Sequence, residues 1–292
     1  MRVLVTGATG QLGSEVADLF SGAGHVVFVP SRKALDFLKP DLAASRVEEL
    51  RPDWVINCAA YTQVDMAETD IAKAFCINTE TPQRLAQTLA GYGGRLLQVS
   101  TDFIFDGAQD WPYAETDPPN PLGVYGRSKL EGEQAVLQAL PEAIVLRTAW
   151  VYGVRGHNFV KTMLRLALAG KALRVVDDQI GTPTWARDIA TAIAVLVTAD
   201  ARGTFHYTNA GETSWHGFAC AILEEAAAAG FKVKTEGVTP IPTSAYPTPA
   251  TRPAYSVLGT EKIRLLLAGP IPGWRASLKN MLKELYTCAD CL

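Results

Sequence analysis

The chain has no apolar stretch long enough to span a membrane; its longest candidate, residues 189–197, is short and flanked by Asp188 and Asp200. It also has no excess of one charge, since 27 basic residues stand against 30 acidic ones for a net charge of −3. That balance gives no general pull toward nucleic acid or an anionic membrane, so an anion site has to be local. Cysteine is scarce: Cys58, Cys76, Cys220, Cys288 and Cys291 form no even framework. Cys288-Ala289-Asp290-Cys291 has a ligand-like spacing but no second pair, and it reads as a frayed tail. No leader is expected, because apolar alternation begins at Val3. Internal repeats and low-complexity tracts are absent too. The expectation is a cytoplasmic protein with reduced thiols and neither a nucleic-acid nor a membrane partner.

What is present is ordinary in bulk: 292 residues, 48% hydrophobic and 20% charged, enough for one large domain or two unequal ones. The local order is more telling. Val3-Leu4-Val5 reads as a buried strand running into Gly7-Ala8-Thr9-Gly10-Gln11-Leu12-Gly13. Glycines at this spacing, between a strand and a helix, let backbone approach a pyrophosphate while the helix aims its first N–H groups at it. Gly7, Gly10, Gln11 and Leu12 are therefore candidate dinucleotide contacts. The second strand, residues 25–29, is followed by Pro30-Ser31-Arg32-Lys33, without the acid that usually holds the ribose hydroxyls of NAD. Ser31 and Arg32 suit a 2′-phosphate instead. NADPH is favoured and NADH stays open. Asp36 and Phe37 are placed to flank the adenine.

A helix over residues 43–50 and a strand over 53–57 lead to Cys58-Ala59-Ala60-Tyr61, small residues where a cofactor lies close to backbone. A long helix is expected over 71–89, bent or interrupted at Pro82, with Asn78 facing either the cofactor strands or solvent. The fourth strand, 95–99, ends in Ser100-Thr101-Asp102, and carboxyl ends of parallel strands are where such sheets bind ligands. A proline-rich loop over 111–122 delivers the chain to Tyr125 at a helix start. Tyr125 and Lys129, four apart, share one helix face. Positive charge beside a phenol lowers its pKa from about 10, and a phenol so tuned can pass a proton near neutral pH. That spacing alone is common on helices. The fifth strand, 143–147, ends at Thr148-Ala149-Trp150.

Five strand–helix alternations imply a parallel sheet covered on both faces. After Gly153 the alternation stops. A helix over 158–168, a strand over 173–176, a turn-rich loop over 177–184 and strands over 204–207 and 232–235 are expected. So are a helix over 215–229, an extended loop over 240–253 with five prolines, and closing helices over 262–267 and 274–285. The fold class expected is α/β: a Rossmann-type doubly wound parallel sheet over residues 1–152, with a smaller C-terminal α/β substrate lobe over 153–292. A helix over about 186–199 is expected to pack back on the sheet.

The glycine turn, Thr101, Tyr125 and Lys129, in this order, resemble the extended short-chain dehydrogenase/reductase superfamily and its Ser/Thr-Tyr-Lys group. More closely, four stretches of the first half are similar to the dTDP-4-dehydrorhamnose reductase family: residues 10–13, 100–107, 125–129 and 147–152. Residues 158–164, 178–184 and 242–253 extend that resemblance over nearly the whole chain. It implies reduction by NADPH of the 4-keto group of dTDP-6-deoxy-L-lyxo-4-hexulose, giving dTDP-L-rhamnose for bacterial surface polysaccharides. On it, Tyr125 donates the proton, Lys129 supports Tyr125 and the nicotinamide ribose, and Thr101 holds the keto oxygen. Asp102 and Trp150 line the sugar pocket. Asn158, Trp215 and Arg252 contact the nucleotide, with Arg252 facing the diphosphate. Some family members hold Mg²⁺ at a dimer contact through acids. Glu15 stands at one such place, but Arg187 stands near the other and cannot ligate a cation. No metal ligand is assigned, Mg²⁺ stays open, and the state is monomer or homodimer. Rival readings are another nucleotide-sugar reductase or epimerase, and a non-catalytic regulatory subunit of the methionine adenosyltransferase type.

Overall fold

The apolar runs of the first half become strands buried from both sides. The computed structural model describes residues 1–288. The Cys288/Cys291 spacing thus extends outside the described residues. The first half runs β1 (Arg2–Thr6), α1 (Gln11–Gly22), β2 (Val26–Phe28), α2 (Pro40–Leu50), β3 (Trp54–Asn57), α3 (Val64–Ala67), α4 (Ile71–Phe75), α5 (Thr81–Ala90), β4 (Arg95–Thr101), α6 (Val124–Ala139) and β5 (Ile144–Thr148). The second half runs β6 (Val151–Tyr152), α7 (Phe159–Leu168), β7 (Leu173–Val176), β8 (Ile180–Gly181), β9 (Thr184–Trp185), α8 (Ala186–Thr198), β10 (Gly203–His206), β11 (Thr213–Ser214), α9 (Trp215–Ala229), β12 (Val238–Ile241), α10 (Glu261–Arg264) and α11 (Trp274–Thr287).

Six of these strands make one parallel sheet in the order β10-β5-β4-β3-β1-β2. The two-residue period of a strand sorts their side chains to opposite faces. Val3, Val5, Trp54, Ile56, Leu97, Ile144 and Leu146 pack on one side with α1 and α8. Leu4, Val55 and Leu96 pack on the other with residues of α2, α4, α5 and α6. The strand order reverses between β1 and β3, so a ligand crevice is expected outside the carboxyl ends of these strands. β10 extends the sheet beyond β5 although it follows residue 152 in the chain. A separate core, with Val160, Leu164, Phe218, Ile222, Leu278 and Met281, holds α7, α9 and α11 together in the smaller lobe.

One expectation is refined and one corrected. The helix expected over 71–89, bent or interrupted at Pro82, is interrupted just before it, by a π-helical turn over Cys76–Glu80 that joins α4 to α5. Pro82 lies in the first turn of α5, where the chain is already helical, so it follows the π turn without ending the helix. The strand expected over 232–235 is displaced to Val238–Ile241, which pairs in parallel with β7. Residues 234 and 235 instead donate their N–H groups to the Ala167 carbonyl near the end of α7. Pro240 is tolerated in β12 because a two-stranded sheet leaves it an open edge.

Candidate active site

The site is built from strand ends. Gly7 has a φ of 64°, the left-handed region, and its N–H-to-carbonyl turn closes through Gly10, whose N–H donates to Gly7 O at 2.9 Å. A Cβ on Gly7 would fall 2.9 Å from the Ala59 nitrogen, and one on Gly13 would fall 2.3 Å from the Gly7 oxygen. Both glycines are therefore demanded by backbone packing. Gly10 begins α1 without a capping side chain, which leaves the helix's first N–H groups for an anion. Leu12 is in the core, so its backbone is what it offers.

Beyond β2, Ser31 and Arg32 are exposed; Ser31 Oγ accepts from the Ala34 N–H. Among the described residues Arg32 has no ion pair, which leaves its guanidinium for a phosphate. Asp36 is turned inward on its own loop, accepting from the Leu38 N–H at 3.0 Å. The Phe37 ring is buried with Leu35, Ala43 and Val47, so only its backbone is open to a ligand. Ala59 N–H is held by the Thr6 hydroxyl at 3.2 Å, and Ala60 follows it in the same turn. Tyr61 is buried, with its hydroxyl on Asp70 at 2.9 Å. Asn78 is a brace. Its oxygen accepts from the Tyr61 N–H at 2.8 Å, and its nitrogen donates to Tyr61 O at 3.2 Å and Ser128 Oγ at 2.9 Å. Both amide protons are thus spent on the chain itself.

Across the crevice, Thr101 ends β4 and caps the short 3-10 turn Asp102–Ile104, accepting from the Phe103 N–H at 3.2 Å. Its hydroxyl donates to Asp102 Oδ1 at 3.0 Å. α6 packs against this turn so closely that a Cβ on Gly126 would lie 2.2 Å from the Phe103 carbonyl oxygen. That contact sets Tyr125 beside Thr101, with the Phe103 ring edge-on to the tyrosine at 5.6 Å. Lys129, one turn on, is buried and donates to Val99 O at 2.6 Å. Glu68 caps the helix start through the Val124 N–H at 2.8 Å.

The electrostatics differ from expectation. Burial pushes the Tyr125 phenol up to about 12, eased by the Thr101 hydroxyl and reinforced by the Asp102 charge. The expected lowering by Lys129 does not set the direction, because desolvation dominates while the ammonium is turned to the Val99 carbonyl. Burial brings Lys129 itself down to about 8, opposed by Glu133 and Cys58. Asp102 is pushed up to about 6 by burial, against the nearby Ser256 and Thr101 hydroxyls. Three buried oxygens at the ends of β4 and β5, Ser100 Oγ, Asp102 Oδ2 and Thr148 Oγ1, make no hydrogen bond. Buried polar atoms without partners are rare, so these fit a polar ligand against the strand ends.

A narrow cleft opens beside this turn, lined by Phe103, Trp150, Gln179, Trp215, Arg252 and Ser256 among others. Trp150 adopts a φ of 46° and its indole stacks on that of Trp215 with centroids 3.5 Å apart and planes 6° from parallel. Gly181 makes the room, since a Cβ there would lie 2.4 Å from the Trp150 ring. A larger hollow between α2 and α5, lined by Asp41 and Arg84, contains none of the strand-end groups.

Known proteins share this arrangement from end to end. Residues 1–287 match the family model described as RmlD substrate binding domain. The chain belongs to that family. A relative from Burkholderia thailandensis, a dTDP-4-dehydrorhamnose reductase, is 43% identical over 98% of this chain and 100% of its own. The structure of a dTDP-4-dehydrorhamnose reductase from Clostridium acetobutylicum superposes with a TM-score of 0.92 at 39% identity, covering 98% of this chain and 99% of the other. That of the Bacillus anthracis reductase, in complex with NADP, gives 0.91 at 35% identity, covering 97% and 99%.

Within this family frame, the remaining candidates fall as follows. Asn158 is the N-cap of α7: its oxygen accepts from the Lys161 N–H at 3.0 Å while its nitrogen donates to Gly153 O and to Gln11 Oε1 at 2.9 Å. It joins the small lobe to the glycine turn instead of standing free for substrate. Arg252 is not free for a diphosphate either. It grips Asp65 through two nitrogens at 3.0 and 2.8 Å and also donates to Thr248 and Ala250. Arg187 lies between Glu15, at 3.0 Å, and Glu284, at 2.5 Å. Among the described residues, no group of three or more His, Cys, Asp or Glu is placed to hold a metal ion. The sequence reading passed over Asp65, Gln179, Ser256 and the Glu133–Arg147 pair. Glu133 carried a local signal, four residues beyond Lys129 on the same helix, and Arg147 and Gln179 lie in stretches that carry the family resemblance.

Proposed function

We propose that this chain is an NADPH-dependent reductase that converts dTDP-6-deoxy-L-lyxo-4-hexulose to dTDP-L-rhamnose, the last step in making the activated sugar. The observation that carries this reading is the end-to-end family match together with Thr101, Tyr125 and Lys129 gathered at one strand-end crevice. Gly7, Gly10 and the start of α1 suit the cofactor diphosphate, and exposed Arg32 suits a 2′-phosphate. When bound, NADPH supplies the hydride to C4 of the sugar. Tyr125, with a phenol pKa near 12, is protonated at neutral pH and donates that proton to the alkoxide forming on the C4 oxygen. The Thr101 hydroxyl turns from Asp102 to the same oxygen and stabilises its charge. Lys129, charged below about pH 8, favours the tyrosinate that proton loss leaves behind. Asp102, Trp150 and Trp215 form the sugar and nucleotide side of the cleft.

The cofactor unit on this reading is residues 1–152 with α8 and β10 returning to it, and the rest of the second half is the substrate lobe. The protein works in the cytoplasm, as a monomer or homodimer. The test is NADPH oxidation by purified protein with the 4-keto sugar nucleotide made by the preceding enzymes, with the product sugar identified. Formation of dTDP-L-rhamnose is expected. Oxidation giving a C4 epimer, or none with this substrate, would overturn the reading.

A further inference from the structure

Tyr125, Lys129 and Glu133 follow one another at four-residue steps on α6 and so share one face of it. Glu133 is 3% exposed and is clamped by Arg147 of β5, which donates Nε to both carboxylate oxygens at 3.1 Å and Nη2 to Oε2 at 2.7 Å. Arg147 is itself held. Its Nη1 donates to His206 Nε2 at 3.3 Å, which fixes the other ring nitrogen as the N–H that donates to Tyr113 O at 3.1 Å. Burial and the Arg147 charge keep that imidazole neutral. This buried chain of bonds spans α6, β5, β10 and the loop around Tyr113.

We propose that Glu133 is a positioning residue of the reductase site: clamped by Arg147, its carboxylate keeps the buried Lys129 ammonium charged. This inference rests on the reading of Tyr125 and Lys129 given under Proposed function. The hydrogen bond found for the Lys129 ammonium goes to a neutral backbone carbonyl, Val99 O. Two groups act on its charge, Glu133 and the Cys58 thiol at the end of β3. Burial pushes Cys58 up to about 12, so it is uncharged wherever Lys129 titrates. Glu133 is then the carboxylate left to offset the burial.

The other titratable groups on elements packed against α6 are engaged elsewhere. Asp65 holds Arg252, Glu68 the Val124 N–H, and Asp102 the Thr101 hydroxyl. Lys73 pairs with Asp70, Arg84 with Asp41 and Arg95 with Asp200, while Glu80 bonds the Cys76 thiol. On α6 itself, Arg127 and Glu131 are exposed.

The test reads Lys129 directly in the cofactor-free chain, by NMR of protein labelled with ¹⁵N at lysine Nζ, the resonance being identified by its loss in Lys129→Met. In Glu133→Gln the titration midpoint of Lys129 falls by about one pH unit, and the alkaline limb of kcat moves down with it while KM holds. Glu133→Asp restores most of the shift. If Glu133→Gln leaves Arg147 too costly to bury and the chain unfolds, the double variant Glu133→Gln/Arg147→Met is read against Arg147→Met, so that the lost Glu133 charge is not masked by the lost Arg147 charge. An unchanged midpoint in the variant that folds overturns the proposal, as does a wild-type midpoint below pH 7. Tyr125→Phe separates the two layers: an active Tyr125→Phe sinks the reductase reading, whereas an inactive one with an unmoved Lys129 midpoint sinks only the role of Glu133.

Discussion

At the scale of single residues, burial decides what each group at the strand ends can do. Tyr125 was read from its spacing as a phenol eased by a lysine, yet desolvation holds it near 12. For a reduction this is the useful direction, because the group has to arrive carrying its proton. Tyr125→Phe is expected to cut turnover by roughly 10²-fold or more with NADPH affinity nearly unchanged, measured by steady-state kinetics and cofactor fluorescence titration. Asp102 shows the cost of the same burial. Its carboxyl rises from 3.8 to about 6, so between about pH 4 and pH 6 the folded chain keeps a proton that the unfolded chain has lost. Stability contributed by that proton is full below pH 4 and lost as pH rises through 6, a penalty of about 3 kcal/mol at neutral pH. Asp102→Asn is therefore expected to melt higher than wild type at pH 7 and equally at pH 4, while losing kcat/KM. A melting difference that stays constant across that range would contradict the assignment.

At the scale of elements, what was legible were the features whose cause is local. The glycine turn is written in consecutive residues, and so are the apolar strands and the helix that starts before Tyr125. The π-helical turn over Cys76–Glu80 was not legible, because it answers to α6. A Cβ on Gly132 of that helix would lie 2.0 Å from the Asn78 carbonyl oxygen, and the wider turn is what the close approach meets. For the same reason Asn78 was ambiguous in sequence, since its partners Tyr61 and Ser128 come from two other elements. β12 was misplaced because its register is set by β7, far away in the chain. Gly126 sits between these cases: its place in the motif was visible, its reason was not. Gly126→Ala puts a methyl against the Phe103 carbonyl, and neither backbone can yield cheaply. The helix is expected to shift, lowering turnover by about 10-fold or more through misplacement of Tyr125, with NADPH still bound. Full activity in this variant would mean the α6 contact does not set the tyrosine.

At the scale of the whole molecule, the two halves meet over the crevice through a few long-range bonds. Gln11 to Asn158 ties the glycine turn to α7, and Arg187 joins α1, α8 and α11 through Glu15 and Glu284. Such partners were invisible in sequence, so Asn158 and Arg252 were read as free for ligand when each is first a strut. Arg252 is the informative one. Its grip on Asp65 of α3 fastens the 248–253 segment of the second half across the cleft that Trp150, Trp215 and Ser256 line. Both partners are partly exposed, with side chains 24% and 38% accessible, so the pair adds about 1 kcal/mol or less to stability. Its larger effect is on geometry: losing it frees the segment that walls the cleft. Asp65→Asn keeps the shape and removes the charge. Its melting temperature is expected to stay close to wild type, kcat to hold, and KM for the sugar nucleotide to rise several-fold, as measured by NADPH oxidation at varied substrate. If KM instead falls, Asp65 competes with the substrate's phosphates for Arg252, and the pair is a block to be displaced instead of a latch that shapes the cleft.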